Sequence, residues 1–203
     1  MEESIVALTN PSAPEGKSLR YAKPERERRF LLATQPPGKI ERTVHITDRY
    51  FFGTRLRLRQ MIETASDNSV KTFYKLTQKV PGPDGAPGLL STIYLSAEEF
   101  ALLAILPASV LRKTRYSIPP FGVDAFEPPL GGLFLAEAEF DDDGTMNVFR
   151  PPSWIVTEVT HDFRFTGGNL VTLSSADLRA LLSPFGLAPG ALKQGATARG
   201  VPP

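Results

Sequence analysis

Apolar and polar residues alternate with a period of two over much of the chain, and proline and glycine punctuate the alternation. That is the pattern of short strands joined by turns. It predicts strands near 24–33, 46–53, 55–63, 70–80, 89–95, 110–118, 121–127, 132–141 and 153–165. Helical signals are fewer. Ser96 precedes an apolar run and Glu99 follows three residues later, a capping box in which each side chain accepts from the other residue's free backbone N–H. Pro107 stops that helix. A second helix is predicted from Asp177 to Ser183, with Ser174 and Ser175 as its cap. The PGPDGAPG run at 81–88 is too rich in proline and glycine to be regular. Residues 1–22 read as a flexible leader and 186–203 as a disordered tail. Between them lies one domain, 23–185, of class α+β and mainly antiparallel β, with no internal repeat.

Composition narrows the chemistry. The 203 residues suit one sizeable domain. A net charge of +1 gives no global field toward nucleic acid, so any preference for anions has to come from local clustering. The chain contains no cysteine, which excludes disulfides, thiolate catalysis and cysteine-ligated zinc and fits a reducing compartment. No stretch is apolar over a membrane-spanning length, and the acidic start MEESIVALTN lacks the basic opening of a signal peptide. A cytoplasmic protein without nucleic-acid or membrane partners is expected; the oligomeric state stays open.

The informative charges sit on strands. Residues two apart share a face, so Glu25, Glu27 and Arg29 point one way, as do Arg55, Arg57 and Arg59. Lys75, Thr77 and Lys79 share a face, and so do Lys113 and Arg115, Glu137 and Glu139, and Glu158, Thr160 and Asp162. One such strand is ordinarily an amphipathic strand facing water. Six together are harder to explain that way, because like charges in a row repel. An anion among the basic rows removes the repulsion, and arginine forks match phosphate oxygens. The acidic pairs would repel that anion unless a hard divalent cation lay between them. If the sheet closes on itself, both sets can face one lumen.

The order of these pieces resembles the CYTH superfamily, the triphosphate tunnel metalloenzymes. The resemblance runs through Glu25-Arg-Glu27-Arg-Arg29, the strand LRLRQ with Arg57 and Arg59, and Lys79 in KLTQK. It continues after the SAEEF helix start with Lys113-Thr-Arg115, Val123-Asp124-Ala-Phe126, Gly132-Leu-Phe-Leu-Ala-Glu137-Ala-Glu139 and PPSWIVTEVTHD. It covers roughly residues 23–170, and the ordered series is specific where no single motif is. The resemblance implies an eight-stranded closed β-barrel tunnel with a few flanking helices. Arg29 stands where the family usually has lysine, and the stretch after Asp162 lacks the family's tyrosine and lysine.

By the same resemblance, Glu25, Glu27, Glu137 and Glu139 would hold Mg2+ or Mn2+, and Arg57, Arg59, Lys79, Lys113 and Arg115 would bind the phosphates. Arg29, Glu158 and Asp162 would be catalytic, with a salt bridge from Asp162 to Arg164 as the alternative for that residue and Arg55 at the strand's outer end. His161 reads as exterior and Trp154 as packing. The implied function is metal-dependent hydrolysis of a triphosphate, first of all inorganic tripolyphosphate, by in-line water attack. Thiamine triphosphate or a nucleoside triphosphate as substrate, an adenylate cyclase, and a polyphosphate-binding module with little or no turnover are the alternatives.

Overall fold

The computed structural model describes residues 22–64, 69–80 and 88–188. Most of the expected leader and tail, and the Pro/Gly run except Gly88, lie outside these residues. Ten strands form one sheet: β1 (Lys23–Pro24), β2 (Glu27–Leu32), β3 (Arg42–Phe51), β4 (Leu56–Thr64), β5 (Val70–Val80), β6 (Leu89–Leu95), β7 (Ala108–Ile118), β8 (Phe121–Phe126), β9 (Phe134–Glu139) and β10 (Ile155–Glu158). All pairings are antiparallel, in the order β1-β6-β5-β4-β3-β7-β8-β9-β2-β10.

This corrects the expected closed eight-stranded barrel: the sheet is open, ending at β1 on one side and β10 on the other. The single strand expected at 24–33 is split in two. β1 pairs with β6, the chain passes through Glu25 and Arg26, and β2 then pairs with β9 and β10. Pro24 has no N–H to continue the β6 ladder. The Glu25 amide makes one last bond, to the Gly88 carbonyl at 2.9 Å. The two ends of the sheet thus approach through one segment without closing a ladder.

The long strand expected at 153–165 is also shorter. β10 stops at Glu158, a 3-10 turn follows at Phe163–Phe165, and a one-turn helix runs over Gly167–Leu170. Among the described residues four helices decorate the sheet: α1 (Ala97–Ala104), α2 (Asp143–Val148), α3 (Gly167–Leu170) and α4 (Ser175–Leu182). The predicted capping box on α1 is present, and α4 carries a second one between Ser174 and Asp177. α2 was not legible as a helix; Asp142 caps it by accepting from the Thr145 amide at 2.8 Å. No described helix is long and apolar enough to cross a membrane.

Each face of the sheet carries a core. On one, Leu31, Leu111, Phe126 and Leu135 pack against Val159, Phe165, Leu170, Leu178 and Leu182 from the C-terminal segment. On the other, Phe30, Phe121, Val123, Phe134 and Ala136 are covered by Phe149 and Trp154. The Trp154 ring meets Phe121 edge-on at 5.1 Å, a packing role as expected. The first core matters for function, because the charged rows share its face.

Candidate active site

Register explains how distant charges converge. Directly opposite residues on neighbouring strands share a face. Arg57 lies opposite Tyr50 and Thr77, and Arg59 opposite Asp48 and Lys75. Arg115 lies opposite Asp124, Glu137 opposite Gly122 and Arg29, and Glu27 opposite Glu139. These rows line one cleft of about 1080 Å³. Glu25, Glu27, Arg29, Arg57, Arg59, Lys79, Lys113, Arg115, Glu137, Glu139 and Glu158 all line it, so eleven of the twelve expected site residues come together. The exception is Asp162. It caps the 3-10 turn and pairs with Arg164 at 2.6 Å, and it does not line the cleft. Arg55, expected at the strand's outer end, lines the cleft, as does His161, expected on the exterior.

Two residues without an assigned role form the floor. The Asp48 and Asp124 side chains are wholly buried. Asp48 accepts from Arg59 Nε at 2.6 Å and Nη2 at 2.7 Å, and the Arg57 Nε lies 3.7 Å away. Asp124 accepts from Arg115 Nε and Nη2, both at 2.7 Å, and from Lys113 Nζ. The arginine row is therefore not mutually repelling: a carboxylate beneath it neutralises part of its charge and orients the guanidinium planes.

Protonation follows from this arrangement. Burial alone would raise Asp124, but Arg115 and Lys113 hold it well below the ordinary carboxylate range. Burial likewise opposes the charge of Arg59, and Asp48 more than restores it. Burial pulls Lys113 down in spite of Asp124. Glu137 accepts from Arg115 and stays ionised, because that contact overcomes its own burial. Burial and Asp48 push the Tyr50 phenol up to about 12, so it remains a neutral donor.

Glu27 behaves differently. Burial pushes its carboxyl up to about 7, helped by Glu137 and Glu25 and opposed by Lys79 and Arg29. Such a group keeps its proton in the folded chain but releases it near the ordinary 4.5 when unfolded. Stability then falls as pH rises between those values, by up to about 1.4 kcal/mol per pH unit, and levels off above the upper one. Denaturation midpoints measured from pH 5 to 8 in metal-free buffer are expected to follow that curve, and Glu27→Gln to flatten it. A midpoint that climbs over the same range in the native chain contradicts a proton held on Glu27.

The acidic residues test the fit of a divalent cation. Among the described residues no group of three or more carboxylates or imidazoles already stands at ligand spacing. Lys79 holds Glu25, and Arg115 holds Glu137. The donor chemistry nevertheless fits. Four glutamates enter one cleft from β2, β9 and the segment between β1 and β2, and burial together with the neighbouring carboxylates raises Glu27 among them. Hard oxygen donors gathered in this way suit Mg2+ or Mn2+. The cleft as a whole favours an anion: nine arginine and lysine side chains line it against five glutamates. The Arg57 Nε is buried beside Asp48 at 3.7 Å with no hydrogen-bond partner.

Glu158 sits at the mouth. Arg28 grips it through Nε at 2.9 Å and Nη2 at 2.6 Å, and Thr160 donates to it at 2.6 Å. Arg28 had no assigned role because it alternates with the Glu27–Arg29 pair. Its guanidinium lies over Phe30, 5.3 Å from the ring centre, and reaches the cleft from the strand's other face.

No family model matches the chain. The inorganic triphosphatase of Nitrosomonas europaea is 34% identical over 153 residues, covering 70% of this chain and 92% of that protein. A crystal structure of an inorganic triphosphatase is 26% identical, covers 73% of this chain and 95% of that one, and superposes with a TM-score of 0.48. A sequence relationship of this extent, over a cleft that gathers the predicted motif residues, is one of common descent: the chain belongs to the inorganic triphosphatase family of the CYTH superfamily.

Proposed function

We propose that the protein hydrolyses inorganic tripolyphosphate in this cleft. The observation that carries the reading is the floor of Arg57, Arg59, Lys113 and Arg115 set on two buried aspartates. Cations fixed in this way need no reorganisation when charge develops on transferring phosphoryl oxygens. Arg57, Lys113 and Arg115 face the phosphates, Arg59 sets the spacing through Asp48, and Lys79 and Arg55 meet the chain's outer end. Water attacks the terminal phosphorus in line and the remaining diphosphate leaves, with positioning and electrostatics carrying the catalysis. Glu25, Glu27, Glu137 and Glu139 would hold Mg2+ or Mn2+, which when bound neutralises phosphate charge. Glu158 holds Arg28 toward the cleft mouth, and Asp162, turned to Arg164, takes no part.

Arg57 is the cation that truncation tests most cleanly, since Arg59 also neutralises Asp48. Arg57→Ala is expected to weaken tripolyphosphate binding by about 1.5–3 kcal/mol, the range for a charge-assisted hydrogen bond, with little change in melting temperature. Unchanged affinity by titration calorimetry would remove Arg57 from the phosphate site. The substrate itself is tested by phosphate release from tripolyphosphate, thiamine triphosphate and ATP side by side. Tripolyphosphate is expected to give the highest kcat/KM. A preference for either organic triphosphate overturns the assignment.

A further inference from the structure

Arg29 is only 8% exposed, and each of its terminal nitrogens is already turned to a backbone carbonyl. Nη1 donates to Phe165 at 3.0 Å and Nη2 to Thr160 at 2.9 Å. The backbone continues the seam: the Arg29 amide donates to Thr160 Oγ1 at 3.0 Å, and the Val159 amide donates to the Arg29 carbonyl at 2.8 Å. Its Nε faces the Glu27 carboxyl group at 3.3 Å without a hydrogen bond. A guanidinium grips phosphate by presenting two parallel N–H groups in one plane. Here those groups are divided among the protein's own carbonyls.

The two carbonyls bracket the turn that leaves β10. This turn and α3 behind it supply His161, Phe163, Phe165, Thr166 and Gly167 to the cleft wall. From the other side, Gly167 lies so close to the Tyr50 hydroxyl that an added Cβ would stand 1.9 Å from it. The wall is thus held between Arg29 behind and Tyr50 in front, with no slack for a side chain at position 167.

We propose that Arg29 is a positioning residue: it latches the 160–165 turn to β2, setting the cleft wall against which substrate is held, and does not itself contact the phosphates. The inference rests on the tripolyphosphate reading of the cleft. Lysine offers a single nitrogen on a flexible stem and cannot bridge two carbonyls with fixed geometry, so this chain's arginine serves a purpose that lysine at the same position would not.

The test pairs Arg29→Lys with Gly167→Ala, which displaces the same wall while leaving Arg29 intact. Two quantities are read on the full chain: amide hydrogen exchange over residues 160–170 without substrate, and the separate kcat and KM for tripolyphosphate. In Arg29→Lys, exchange over that segment is expected to quicken by about tenfold or more, as local opening becomes easier. KM should rise by about tenfold while kcat changes less than about threefold, the pattern of lost ground-state binding. Gly167→Ala should reproduce the KM rise. Altered kinetics in Arg29→Lys with unchanged exchange would mean direct contact with substrate and overturn the latch. An unchanged KM in Gly167→Ala would also overturn it, since the wall's position would then not matter. The exchange measurement needs no turnover, so a native protein that fails to hydrolyse tripolyphosphate sinks the functional reading and leaves the latch to be judged separately.

Discussion

Glu137→Gln should reduce phosphate release from tripolyphosphate by at least about a hundredfold, the scale seen when one preorganised electrostatic contact is lost at a transition state. Glu137 is central to the cleft: Arg29 and Gly122 flank it in register, and it accepts from Arg115. It is held ionised there. The amide keeps the shape and still offers an oxygen to Arg115, so the fold should survive. What disappears is the negative charge that a hard cation requires. The check is steady-state phosphate release at saturating Mg2+ and Mn2+, together with thermal melting of both proteins. Near-native rates in the variant would mean that Glu137 only neutralises Arg115.

The largest effect on stability is expected at Asp124. Asp124→Asn leaves Lys113 and Arg115 buried without the carboxylate that lies between them. Removing one partner of a buried ion pair costs about 3–5 kcal/mol, because the remaining charge is uncompensated. Glu137 still faces Arg115, which places the expectation toward the lower end. Linkage adds a second signature. The Asp124 carboxyl is depressed in the folded chain, so the unfolded chain binds the extra proton as pH falls. Its contribution is fully present at neutral pH and disappears as pH drops below the ordinary carboxylate range. Urea denaturation at pH 7 and at pH 3 should therefore separate native and variant proteins widely at pH 7 and less at pH 3. A difference below about 1 kcal/mol at pH 7 would contradict the buried network.

Much of the site was legible because alternation is a strict rule within a strand. Arg57 with Arg59, Lys113 with Arg115, and Glu137 with Glu139 each share a face by spacing alone, and the register then sets those faces side by side. The same rule misled where a strand ended early. Extending β10 to residue 165 set Asp162 on the face of Glu158 and His161 on the other. With the strand ending at Glu158, the turn sends Asp162 to Arg164 and His161 to the cleft.

Asp48 and Asp124 were harder to read, because a single carboxylate on a strand carries no periodic signal. What could have found Asp48 is its place in the series Val44, Ile46, Asp48, whose members are all buried. An acid at such a position requires a cationic partner, and Arg59 lies opposite on the hairpin. Sheet closure is a long-range property: a two-residue strand ended by Pro24 decides it, and no local pattern announces that outcome.

Incubating the purified native protein with tripolyphosphate and measuring released phosphate with Mg2+, with Mn2+ and with excess EDTA tests both the activity and its need for metal. The four glutamates beside nine cations lead us to expect turnover with either metal and none once the metal is chelated. Undiminished release in EDTA would contradict the metal role, and no release under any of the three conditions would contradict the triphosphatase reading itself.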